Sequence, residues 1–356
     1  MTIRTYAPAA AGAIMCLSAF LIGAQARAMP ATDSAAQLGG DNLQTAGLAL
    51  PKTPHPIAEL SPVATWRLGK TADWVAVTED AVWVASTGPF AVHRIDPRTN
   101  KLTASVRIPG EACAGLVAAF GALWVPICGQ PAALAKIDLA SQRLATVLGV
   151  GPAAEEGGIA ASDDSLWLVV DKKGSLARID PQTGSIRQTV HIPAGSYNPK
   201  FVDGAVWVTR AEGAEATAVD ATSGKVIASA KTGPQPRFLA AGGGAMWTLN
   251  QGDGTLTRID LSTRGATVTI PLGTPGHGGD VGFGGGAIWT SMPKVPLSAV
   301  SATSAKLLCQ WVGPGGDSLG LGHDAIWLTD YHGGTVTRFR MADALQRCTH
   351  GTQSGH

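Results

Sequence analysis

The chain has 356 residues, 27 of them basic and 26 acidic, for a net charge of +1 at pH 7, and only 15% of its residues are charged. A balance so near neutrality leaves no electrostatic footprint for nucleic acid or an anionic membrane. With 45 glycines and 22 prolines and no helix-length amphipathic segment, the composition points to many short strands joined by tight turns.

Residues 1–28 read as a secretory signal peptide. Arg4 supplies the positive start, residues 9–22 an apolar run, and Ala26-Arg27-Ala28 a small-x-small cleavage signal. The run is too short and too rich in alanine to span a bilayer, and no later segment approaches that length. The expectation is therefore a soluble monomer, exported to the periplasm or the extracellular space, without membrane insertion. Cleavage would remove Arg4 and Arg27 and no acid, leaving 25 basic against 26 acidic residues and a net charge of −1. Residues 29–60, rich in Ala, Pro, Thr and Gln, show no hydrophobic period and are expected to form a flexible leader.

From residue 61 to 348 one unit recurs seven times. Its first mark is a tryptophan between apolar neighbours, threonine replacing the second neighbour at Thr248 and Thr290, at Trp83, Trp124, Trp167, Trp207, Trp247, Trp289 and Trp327, spaced 41, 43, 40, 40, 42 and 38 residues apart. A second strand follows each, as in Arg94-Ile95-Asp96-Pro97, Lys136-Ile137-Asp138 and Arg178-Ile179-Asp180-Pro181. With an inner and an outer strand added, each unit holds four strands, and a repeat of this length and content specifies an all-β, seven-bladed β-propeller. Asp180-Pro181-Gln182-Thr183-Gly184 suits the outer hairpin: Asp accepts local backbone bonds, Pro presets φ, and Gly takes the left-handed position. The seventh unit lacks an outer strand, whereas residues 63–68 are surplus at the other end. These residues are expected to complete the last blade, so that the two ends of the chain close the ring and remove an open edge. Residues 349–356 are expected to be a disordered tail.

Four cysteines follow the leader. Cys113 and Cys128 are symmetric about the Phe120-Gly121 turn of one hairpin and should face each other across it. Cys309 lies on the outer strand of blade six and Cys348 beyond the last strand, so a second bridge would staple the tail to the ring. An even count in an exported chain favours both bridges.

No Gly-x-Ser-x-Gly elbow, His-Glu-x-x-His, phosphate-binding loop or EF-hand loop occurs. Candidate functional residues are therefore those that the repeat places on the face where inner strands start and tryptophan strands end. Blade one contributes Asp73 and Trp74, blade two Glu111, and blade three Glu155, Glu156 and Asp171. Blade four contributes Tyr197, Asn198, Lys200 and Arg210, and blade five Arg237 and Asn250. Blade six contributes His277 and Asp280, and blade seven Asp317, Asp330, Tyr331 and His332. Such a ring suits a small polar ligand, a peptide or a protein partner. His277 precedes Gly278-Gly279, where a ligand can approach the backbone, and a neutral imidazole can act as a base near neutral pH. Asp317 would orient it or hold a metal.

The repeats, with Ala-Val-Trp-Val-Ala-Ser and Val-His-Arg-Ile-Asp-Pro-Arg-Thr-Asn-Lys as the clearest instances, resemble those of bacterial YncE-like propellers and of virginiamycin B lyase (streptogramin lyase). The resemblance spans residues 63–340. The lyase resemblance implies a Mg²⁺-dependent elimination that opens a cyclic depsipeptide ester, with His277 as general base or acid. In that family the histidine is followed, one blade on, by Glu-x-His. Here Asp317-Ser318-Leu319 stands in that place, with His332 as the histidine that would reach the channel.

Overall fold

The structure is a computed structural model and describes residues 54–350 apart from Thr274 and Pro293. The expected signal peptide and residues 349–356, save the end of a helix at residue 350, lie outside the described residues. Seven antiparallel sheets surround one channel, six of four strands and one of five. Blade one runs Thr71–Val77, Val82–Thr87, Ala91–Asp96 and Lys101–Arg107 from the channel outward, and its successors repeat that order.

Burial follows position in the blade. The tryptophan strands are covered on both faces by neighbouring sheets, so Val82-Trp83-Val84-Ala85 and its equivalents are near-continuous apolar runs. The outer strands have only their last turn inward, and Arg143–Leu148 is exposed along almost its whole length. All seven repeat tryptophans are at most 1% exposed. In five blades the basic residue of the following strand, directly opposite in register, lies over the indole: Arg94 on Trp83, Lys136 on Trp124, Arg178 on Trp167, Arg258 on Trp247 and Arg338 on Trp327, at 5.0 to 6.0 Å. The repeat spelled tryptophan, then Arg-Ile-Asp, because those two side chains stack while the aspartate caps the turn. Asp180 accepts the backbone N–H groups of Gln182 and Thr183 at 2.7 and 3.0 Å.

The ring closes as expected. Pro62–Arg67 forms the outer strand of blade seven, with Thr65 opposite Thr337 and Trp66 opposite Val336, and Trp66 stacks on Trp327 at 5.6 Å. Both disulfides are formed, with Cα–Cα separations of 5.6 Å for Cys113–Cys128 and 5.2 Å for Cys309–Cys348.

Two boundaries differ from expectation. The leader does not extend to residue 60: His55–Pro56 adds a fifth, parallel strand to blade six beside Trp311 and Val312, and Leu60 is 3% exposed against Met341, Ala344 and Cys348. Proline fits an added edge strand, where its missing N–H costs nothing. Residues 341–348 are not an irregular extension of the ring but belong to a helix, Met341–His350. Its buried stripe is Met341, Ala344, Leu345 and Cys348, a spacing of three, four and seven. Among the described residues no helix is long and apolar enough to cross a membrane.

Candidate functional site

Inner strands begin, and tryptophan strands end, at one mouth of the channel, where a funnel of about 850 Å³ opens. Asp73, Glu111, Glu155, Glu156, Asp317 and Asp330 line it, together with Tyr331, His277, His332 and Lys294; the Cys113–Cys128 bridge forms part of its wall. Carboxylates outnumber cationic groups. The volume falls within the ordinary range of small-ligand sites.

The floor is aromatic. Trp74 of blade one and Phe238 of blade five meet across the channel with ring centroids 6.3 Å apart. These two residues are common to the funnel and to a second cavity below it, so they form a septum. Trp74 reaches that position through a left-handed backbone, φ 52°, at a bulge between Asp73 and Val75. A bulky residue there is a genuine outlier, and such strain concentrates where the chain must aim a side chain. Glu156 and Asn198 share the conformation, with φ of 55° and 46°, at the same level of blades three and four.

Several polar residues at this level stitch one blade to the next. Asn198 Nδ2 donates to the carbonyls of Glu156 and Arg237 at 3.0 and 2.7 Å, bridging blades three, four and five. Gln251 donates to the Gly278 carbonyl at 3.0 Å. Asp317 accepts the Gly279 N–H at 2.9 Å, and Ser318 Oγ donates to Asp73. Burial, with Asp317 next in weight, pushes the Asp73 carboxyl well above the usual carboxylate range. Burial also raises Asp317, with Glu156 and Asp330 adding repulsion while the Gly279 N–H and His332 oppose it. The Tyr331 hydroxyl is raised by burial and then by Glu111, Asp73, Asp317 and Glu155, a direct sign that these carboxylates share one field. Tyr331 packs edge-on against His332 at 5.2 Å.

The structure thus gathers His277, Asp317, His332, Trp74, Glu156, Asp330 and Tyr331 around one funnel. Trp74 is 6% exposed and serves as the floor. Tyr197 and Arg237 line an adjoining recess, where the Arg237 guanidinium lies 4.4 Å from the Tyr197 ring and 3.5 Å from Glu156. Asp171, Asp280, Asn250, Arg210 and Lys200 lie elsewhere, and Asp171 accepts the N–H groups of Lys173 and Ser175 in its own turn at 2.8 and 3.1 Å. Asn250 is fully buried and donates to Thr255 and Thr257, both at 2.9 Å. Arg210 pairs with Glu215 at 3.0 Å and donates to the Ala194 carbonyl. Lys200 lies below the septum, with Asp280. Phe238, Lys294 and Ser318 were not among the expected residues; Phe238 is one apolar residue in an apolar inner strand, and no residue pattern distinguishes it.

Among the described residues no three His, Cys, Asp or Glu side chains converge as metal donors.

Fold and site together define a seven-bladed β-propeller with an acidic, aromatic-floored funnel on one face. BamB from Moraxella catarrhalis has a similar structure, with a TM-score of 0.57 and 13% sequence identity over 79% of this chain and 97% of that one. No family model matches the sequence, and no curated protein matches it.

Proposed function

We propose that this chain is an exported binding module that holds a cationic group, carried by a small polar ligand, a peptide or a protein partner, in the acidic funnel. The observation that carries this reading is the excess of carboxylates: six line the cavity against Lys294 and two histidines. An incoming ammonium or guanidinium would favour the ionised forms of Asp73 and Asp317, which burial first and neighbouring carboxylates second disfavour, and the aromatic floor offers a cation a π-face. The two disulfides favour an oxidising compartment, in keeping with export. The likeness to BamB supports the scaffold only.

A thermal-shift panel tests this. Spermidine and a lysine-rich hexapeptide should raise the melting temperature by mass action, citrate should not, and the Glu111→Gln/Asp330→Asn double variant should lose the response. Citrate raising the melting temperature while both cations fail would overturn the reading.

The second reading, a lyase-like enzyme with His277, Asp317 and His332 in one funnel, rests on their common lining. It requires turnover of a cyclic depsipeptide that His277→Ala abolishes with the fold intact.

A further inference from the structure

The channel continues below the septum as a chamber of about 390 Å³. It extends from Trp74 and Phe238 toward the far ends of the inner strands, where Val77, Ala118, Phe283 and Leu321 lie. Val77, Val117, Ile159, Leu239, Leu319 and Leu321 supply aliphatic patches on its wall, between stretches of polar backbone and Asn198. Only two ionisable side chains face it, Lys200 of blade four and Asp280 of blade six.

Lys200 enters the chamber because the register of its strand skips at Asn198 and Pro199, between Tyr197 and Lys200. Its side chain touches channel water but is enclosed by the ring, which is why burial lowers its proton affinity and Asp280 only partly restores it. Among the described residues its ammonium makes no hydrogen bond and no ion pair within 4.0 Å. Asp280 is not free to serve as that partner. Its oxygens accept the N–H of Val281 at 2.7 Å and of Leu319 at 3.1 Å, the second joining blade six to blade seven. Burial raises its carboxyl to about 7, so near neutrality it is neutral much of the time. The chamber thus places a solvent-exposed Lys200 ammonium near one carboxyl that two backbone N–H groups already hold and that attracts it only in part, so an incoming anion meets a hydrated cation without a direct ion pair.

We propose that this lower chamber is a binding site for a small organic monoanion with an apolar body, a monocarboxylate, its carboxylate on the Lys200 ammonium and its body against Leu319, Leu321 and Val77. A single cation matches a single negative charge, while aliphatic patches penalise a multiply charged ion and reward a hydrocarbon. The site is separate from the funnel in position and in charge preference, and it stands or falls independently of the function proposed there.

Titration calorimetry with hexanoate and benzoate, and with hexylamine as the charge-reversed control, tests the assignment. The carboxylates should bind the wild type and hexylamine should not. Lys200→Met, which keeps length and apolar packing, should weaken hexanoate at least tenfold, since a charge-assisted hydrogen bond is worth about 1.5–3 kcal/mol. Lys200→Arg should retain most of the affinity. Lys200→Gln serves if the methionine variant does not fold. The funnel variant Glu111→Gln/Asp330→Asn should bind hexanoate like the wild type. Absence of hexanoate binding to the wild type, or equal binding by wild type and folded Lys200→Met, would overturn the proposal.

Discussion

The Asp280 carboxyl offers the sharpest quantitative test of the channel's electrostatics. Burial raises it from 3.8 to about 7 even though two backbone N–H groups and Lys200 favour the anion. A shift of roughly 3 units at about 1.4 kcal/mol each corresponds to about 4 kcal/mol. The sign follows from the direction: the folded state binds the proton more tightly than the unfolded chain. Asp280 therefore contributes most below pH 4, and its contribution is lost as pH rises from 4 through 7. Asp280→Asn removes the titration. It keeps a carbonyl for the Val281 N–H but turns an amide donor toward the Leu319 N–H, at a pH-independent cost of about 1–3 kcal/mol. In urea unfolding followed by tryptophan fluorescence, the variant should be the less stable protein at pH 4.5. Relative to wild type it should then gain about 3 kcal/mol by pH 8.5, because roughly 1 kcal/mol of the shift is already lost at pH 4.5. Parallel stability curves for the two proteins across that range would refute the reasoning. At the acid end the turn aspartates take over. The Thr183 N–H first of all holds Asp180, and the Ser262 hydroxyl first of all holds Asp260, down to about 2, so their contribution is present above pH 4 and lost as pH falls toward 2.

Three further outcomes are expected. Trp74→Ala should cost about 3–5 kcal/mol, and Trp74→Gly about 1 kcal/mol less than Trp74→Ala, because glycine accepts the left-handed φ of 52° without strain; equal urea midpoints for the two would remove the strain from the account. Asn198→Ala should cost about 1–3 kcal/mol by leaving the Glu156 carbonyl without its cross-blade donor, read as a lowered unfolding midpoint. Cys348→Ser should destabilise the oxidised protein by about 4 kcal/mol, the chain-entropy value for a 39-residue loop, and prior reduction of wild type should shrink that difference.

The propeller was legible because its signal is repeated. The tryptophan, its basic partner opposite it on the next strand and the turn aspartate recur with one spacing, and each has a local physical task. Strand closure was legible for the same reason: residues 63–68 resemble the outer strand of blade one. What occurs once was not legible. Leu60 and the strap at His55–Pro56 lie in a stretch too short to show a period, and the helix stripe Met341, Ala344, Leu345 and Cys348 begins immediately after the last strand. His277, Asp317 and Tyr331, which the repeat places at the channel-facing level, line the funnel, whereas bulges at Trp74 and Asn198 shift which inner-strand side chains point inward and at what depth. The Asn198 bulge is why Lys200 lies below the septum, while Asn250 turns into its own blade to donate to Thr255 and Thr257, although the repeat places both at the funnel's level.

The most direct test of the cation-binding funnel is calorimetric titration of the oxidised protein with spermidine at low and high salt, with Glu111→Gln/Asp330→Asn beside the wild type. The account predicts a saturable site whose affinity falls with added salt, as screened charge interactions do, and falls at least tenfold in the variant, with hexanoate binding to the lower chamber unchanged. Spermidine binding of equal strength in wild type and variant, or none to the wild type at low salt, would contradict it.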